Sequence, residues 1–195
     1  MRVAEIIRKT AETDIALSIN VDGTGKSQIE TGCGFLDHML TLFSKHGKFD
    51  LSVKCVGDVN VDYHHTVEDV GICLGQAFKK ALNDKRGIYR YGDSTIPMDE
   101  ALILSAIDLS GRATLCYGLK VPAKRLKDFE TELIEEFFLA FVRSLEATVH
   151  LVQLAGKNKH HVLECAFKSF ARSMRKACEI DQRCANDVPS SKGVL

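Results

Sequence analysis

The feature that most restricts how this chain can fold is that it contains one pattern twice. His64-His65-Thr66-Val67-Glu68 returns as His160-His161-Val162-Leu163-Glu164, 96 residues later. Each copy runs into apolar residues at helical spacing: Val70, Leu74, Ala77, Phe78 and Ala81 after the first, Phe167, Phe170, Ala171, Met174 and Ala177 after the second. Upstream, Phe35-Leu36-Asp37-His38-Met39-Leu40 matches Leu133-Ile134-Glu135-Glu136-Phe137-Phe138 in its apolar positions, which sets His38 opposite Glu136 at a spacing of 98. Further upstream, Asp22-Gly23-Thr24-Gly25-Lys26 resembles Asp108-Leu109-Ser110-Gly111-Arg112, each a turn between β-like runs. A shared order of elements points to two copies of one supersecondary unit, not to a chance likeness between helix faces.

Each half is predicted to run strand, turn, strand, helix, strand, strand, helix. The strand candidates are Ile15–Val21, Ser27–Glu30, Leu51–Cys55, Ala101–Asp108, Ala113–Tyr117 and Thr148–Gln153. Helices starting near His38, Thr66, Phe129 and Val162 would cover one face of a mostly antiparallel sheet, the α+β arrangement. The 195 residues are expected to form one domain of two repeats, about 1–92 and 93–184, with a C-terminal tail over 185–195. Pro97, Pro122 and Pro189 stand alone, so no proline-rich linker separates the halves.

Charge excludes one class of function. The 26 basic and 26 acidic residues cancel, and a sequence-independent nucleic-acid binder needs a basic excess. No apolar run approaches the ~20 residues that span a bilayer, and the first residues, Met1-Arg2-Val3-Ala4-Glu5, lack a signal-peptide pattern. A cytoplasmic protein without membrane or nucleic-acid partners is expected. Seven cysteines with no CxxC pair read as reduced, mostly buried thiols.

The repeated motif carries chemistry. His64 and Glu68 stand four apart and share a helix face, while His65 lies three from Glu68. Neighbouring histidines on a helix point in different directions, so one pair serves two ions more readily than one. Two pairs related by an internal two-fold could each lend one imidazole to each ion, with Glu68 and Glu164 completing the shells. Imidazole with carboxylate and no thiolate suits Mn, Fe, Co or Zn. His150, outside the motif, reads as structural. Cys33 and Cys165 read as apolar filler, not as nucleophiles. The zinc-protease order His-Glu-x-x-His, a Walker loop, a dinucleotide fingerprint and a G-x-S-x-G turn are all absent. The residues alone leave open a dinuclear hydrolase acting on a phosphoester, and a metal-stabilised assembly without activity.

The order of motifs resembles the imidazoleglycerol-phosphate dehydratases of histidine biosynthesis. The matching segments are Glu12-Thr13; Gly34-Phe35-Leu36-Asp37-His38-Met39-Leu40; Asp62-Tyr63-His64-His65-Thr66-Val67-Glu68-Asp69; and Gly87-Ile88-Tyr89-Arg90-Tyr91-Gly92. They continue with Asp108-Leu109-Ser110-Gly111-Arg112, Leu154-Ala155-Gly156-Lys157-Asn158-Lys159-His160-His161, and Pro189-Ser190-Ser191-Lys192-Gly193. The resemblance implies two pseudo-symmetric ferredoxin-like halves, similar to the second domain of ribosomal protein S5. It also implies a large homo-oligomer of about 24 subunits with sites at subunit contacts, and two Mn2+ ions per site. One ion would take His38, His65, His160 and Glu164; the other His64, Glu68, His161 and the residue at 136. Many members carry His at that last position, where this chain has Glu136, also a competent manganese ligand.

The implied reaction removes water from imidazoleglycerol phosphate to give imidazole acetol phosphate. The departing proton sits on a carbon without a carbonyl neighbour, so enolate chemistry is closed. Cations on both ring nitrogens would instead favour the imidazolate, whose electrons expel hydroxide to give a diazafulvene. Loss of the next carbon's proton then yields an enol and the ketone. Glu12, His46 and Glu164 are the catalytic candidates, with Glu12 and His46 also placed to hold the glycerol hydroxyls. Arg90, Arg112, Lys168, Ser190, Ser191 and Lys192 are the candidates for binding the phosphate end.

Overall fold

A computed structural model describes all of residues 1–195. The chain forms β1 (Val3–Lys9), β2 (Thr13–Asn20), β3 (Ser27–Glu30), α1 (Gly34–Gly47), β4 (Asp50–Gly57) and α2 (His64–Leu82). It repeats the series as β5 (Tyr91–Met98), β6 (Ala101–Asp108), β7 (Thr114–Gly118), α3 (Leu133–Leu145), β10 (Thr148–Ala155) and α4 (Lys159–Cys178). A small hairpin, β8 (Arg125–Leu126) with β9 (Phe129–Glu130), is inserted before α3.

The two four-stranded sheets have identical topology. Their orders are β1-β2-β4-β3 and β5-β6-β10-β7, antiparallel except for the last pair of each, which is parallel. Period-two alternation sets their inner faces: Ile15, Leu17 and Ile19 of β2 are buried, as are Leu51, Val53 and Cys55 of β4. Ala101, Ile103 and Ile107 of β6 and Val149 and Leu151 of β10 do the same in the second sheet. This is an α+β fold of two ferredoxin-like halves. No helix is long and apolar enough to cross a membrane.

Three sequence expectations need correction. Three strands, not two, precede the first helix of each half, and one strand, not two, separates its helices. The missed strands, β1 and β5, are sheet edges. Glu5, Arg8 and Lys9 obscure the alternation in one, and Pro97 in the other, where the missing N–H costs nothing at an edge. Phe129 belongs to β9, and the helix predicted there begins at Leu133. The two Gly-containing turns also align two residues differently: pairing register matches Asn20 with Asp108, and hence Gly23 with Gly111.

The helices cross between halves. α1 packs on α4 and α2 on α3, so each inter-half contact joins a first-half helix to a second-half one. Four phenylalanines close a ring through all of them: Phe43 of α1 meets Phe78 of α2, Phe78 meets Phe141 of α3, Phe141 meets Phe170 of α4, and Phe170 returns to Phe43. Their centroids are 5.2–5.9 Å apart. Glycine permits the closest of these approaches. A Cβ at Gly71 would stand 2.7 Å from the Phe137 carbonyl oxygen, and one at Gly75 2.5 Å from that of Phe141. Gly75→Val therefore wedges α2 from α3 and lowers stability by about 1–3 kcal/mol. Thermal unfolding checks this; an unchanged midpoint would mean the seam is looser than its distances say.

Candidate metal centre

Each His-His pair lies in the first turn of a helix, and a side chain two residues earlier accepts the backbone N–H of its first member. Asp62 Oδ1 accepts the His64 backbone N–H, and Asn158 Oδ1, 96 positions on, accepts that of His160. In both first turns the paired rings stand nearly perpendicular, at 81° for His64 and His65 and 85° for His160 and His161. The members of each pair thus address different surroundings.

The α1–α4 crossing assembles one cluster. His38 Nε2 lies 3.4 Å and His160 Nε2 3.0 Å from Glu164 Oε2, and one donor atom from each residue falls within 4.8 Å of the others. The other carboxylate oxygen of Glu164 pairs with Lys168 Nζ at 2.7 Å. Burial works against the Glu164 carboxylate, but Lys168, His38 and His160 outweigh it and hold its carboxyl below the ordinary value. Two imidazoles and a charged carboxylate converging on one small volume fit a hard or borderline divalent cation.

The equivalent set from the other crossing is looser. His64 Nε2 lies 3.9 Å from Glu68 Oε2. Glu136 is on α3, which packs against the helix carrying both, but no ion pair joins it to either. His65 and His161 are engaged by carboxylates of their own halves. His65 Nδ1 lies 2.9 Å from Asp58 Oδ2, with its Nε2 3.5 Å from Glu12 Oε1. His161 Nδ1 lies 2.8 Å from Glu100 Oε2. Asp58 raises the His65 pKa and Glu100 raises that of His161, while Glu100 itself is drawn down to about 2 by His161 and the Lys157 and Asn158 amides.

Sequence reasoning missed Asp58 and Glu100. Glu100 was detectable: pairing register places it 88 residues after Glu12, in the turn between the first two strands of its half. That spacing differs from the 96 of the histidines, so a search at one fixed period passes over it.

The phosphate candidates fall in two places. Arg90 donates Nε and Nη2 to Asp108 at 2.8 and 3.2 Å and Nη1 to the Pro189 carbonyl at 2.9 Å, which fastens the tail bearing Ser190, Ser191 and Lys192. Arg112 Nη2 approaches the same Asp108 at 3.9 Å and is otherwise exposed. Lys168 sits instead beside the histidine cluster, on Glu164. His46, farther along α1, lines a cavity of about 350 Å³ with Asp93, Ser94, Arg172, Arg175, Lys176 and Glu179. Burial lowers its pKa, and Lys168, Arg172 and Lys48 add to the effect. His150 lies on the exposed face of β10. Burial pushes the Cys33 thiol up to about 11 and raises that of Cys165, the opposite of what a thiolate nucleophile requires.

Comparison with known proteins gives one answer. The profile described as imidazoleglycerol-phosphate dehydratase matches residues 31–174. Proteins of that name from Prochlorococcus marinus and Caldicellulosiruptor bescii are each 55% identical to this chain, covering all of it and 96% and 98% of their own lengths. The solved imidazoleglycerol-phosphate dehydratase of Staphylococcus aureus superposes with a TM-score of 0.83 at 37% identity, over 92% of this chain and 99% of its own. That of Pyrococcus furiosus gives 0.84 at 35%, over 97% and 100%.

The His161–Glu100 pairing has a pH signature in metal-free protein. Its Glu100 contribution is present above the ordinary Glu value of 4.5 and fades toward about 2. Its His161 contribution is complete below the ordinary His value of 6.5 and is lost as pH rises through the raised one. The thermal midpoint of Glu100→Gln should fall below wild type most between those limits and approach it in alkali. A gap that stays level from about pH 4 to about pH 9 would rule the pairing out.

Proposed function

The chain belongs to the imidazoleglycerol-phosphate dehydratase family, lyases of histidine biosynthesis, and on that premise we propose that it dehydrates imidazoleglycerol phosphate at a dinuclear manganese site. The observation that carries the metal reading is the convergence of His38, His160 and Glu164 from two crossing helices on one small volume. His64 and Glu68, with Glu136 from the neighbouring helix, form the second set. His65 and His161, turned away from these clusters in their own chain, complete the ions of adjoining copies in a cytoplasmic homo-oligomer of about 24 subunits.

Manganese held by these residues would supply the positive charge that stabilises a deprotonated imidazole ring. The chain's own groups do the rest. Glu164, kept ionised by Lys168 at Oε1, turns Oε2 toward His38 and His160, where a metal would sit. Glu12, more than half exposed and facing His65 Nε2, takes or holds a proton from the carbon chain. His46, with its pKa depressed, is neutral near pH 7 and able to accept one. Arg112, Lys192 and Ser190 offer donors to the phosphate, with Ser191 beside them. Asp108 orients both arginines, and Arg90 holds the tail in place.

Chelation should abolish turnover of imidazoleglycerol phosphate, and added Mn2+ should restore it, with no inorganic phosphate released. His160→Ala should lose more than about 100-fold in turnover, since a ligand is worth more than its outer-shell support. Glu136→Ala should reduce bound manganese while leaving the first cluster occupied. Near-normal turnover in metal-free protein would sink the proposal, and phosphate release would turn it toward a hydrolase.

A further inference from the structure

The two halves do not orient their outward histidines in the same way. His65 has a carboxylate at Nδ1 from Asp58, at the end of β4. His161 has one from Glu100, in the β5–β6 turn. The structural repeat relates Glu100 to Glu12 and, past the register shift in β10 between Gln153 and Ala155, Gly57 to Gly156, so Asp58 stands opposite Lys157. Neither orienting carboxylate is therefore the counterpart of the other.

The reason is the length of the connection into the helix. Asp62 and Asn158 make the same contact at the two helix starts, but residues 58–61 separate Gly57 from Asp62, whereas Lys157 alone separates Gly156 from Asn158. The Lys157 side chain offers no acceptor to an imidazole N–H. Glu100 takes over from the neighbouring turn. Its Oε1 accepts the Asn158 and Lys157 backbone N–H groups at 2.8 and 3.2 Å, and its Oε2 faces His161 Nδ1. That grip fixes both the carboxylate and the start of α4. In the first half Asp58 already holds Nδ1, and Glu12 is left on the Nε2 side.

We propose that Asp58 and Glu100 are positioning residues that hold His65 and His161 with Nδ1–H donated inward and Nε2 presented to a metal ion. They occupy non-equivalent turns of the duplicated fold, and this arrangement frees Glu12 for the substrate. The inference rests on the manganese reading above and concerns residues outside the proposed coordination shell. A carboxylate behind a ligating imidazole fixes its tautomer and raises its basicity, and losing one weakens metal affinity by about 10–100-fold.

Titration of the assembled protein with Mn2+, following the free ion by its electron paramagnetic resonance signal, tests this. Pulsed measurements would count the coordinated imidazole nitrogens. Asp58→Asn and Glu100→Gln keep shape and remove charge. Each should weaken manganese binding by about 10–100-fold, with unchanged far-ultraviolet dichroism and assembly size. Asp58→Ala and Glu100→Ala should also lower the number of coordinated nitrogens. If all four variants bind like wild type, with the same nitrogen count, the positioning role is wrong while the metal site stands. If wild type itself takes up no Mn2+, the metal reading fails first and takes this inference with it. Should an alanine variant fail to assemble, the isosteric variant decides.

Discussion

The fold depends on the closed contact among four phenylalanines, one from each helix, in a layer sealed between two sheets. Phe43, Phe78, Phe141 and Phe170 are fully buried, and each touches the next around the ring. Aromatic edges and faces prefer particular tilts, so the ring fixes how the helices cross as well as how far apart they lie. The sheets supply the apolar floors, but this junction ties the two repeats into one body.

The candidate site inherits its geometry from that crossing. His38 belongs to the first repeat, and His160 and Glu164 to the second. They meet because α1 lies along α4, not because of any closeness in sequence. The electrostatics follow the same plan. Glu164 is nearly buried yet stays ionised because Lys168 stands one helical turn away on the same face. Separate carboxylates, Asp58 and Glu100, engage the Nδ1 edges of His65 and His161.

Much of this was legible in the sequence because duplication doubles every signal. One His-His-x-x-Glu is ambiguous, whereas two with matching helices downstream define the helices, their faces and their relation. What stayed hidden has physical causes. β1 and β5 are edge strands that tolerate charge and proline on the open side, so their alternation is blurred. The β8–β9 insertion shifts the repeat spacing from 88 before it to 98 after it, which concealed the correspondence of Glu12 and Glu100. Phe129 reads as the head of a helix because it is apolar beside an amphipathic run. It is instead buried in that insertion. Asp58 gave no signal, since its role depends on where a strand end meets the next helix.

The helix exchange between repeats bears on ancestry. A single repeat standing alone would expose its aromatic seam and carry only part of the His38, His160 and Glu164 cluster, so it would need a twin. In such a symmetric pair both His/Glu clusters would be obliged to be the same. Within one covalent chain that obligation is lifted: histidine stands at position 38 and glutamate at its mirror position, 136.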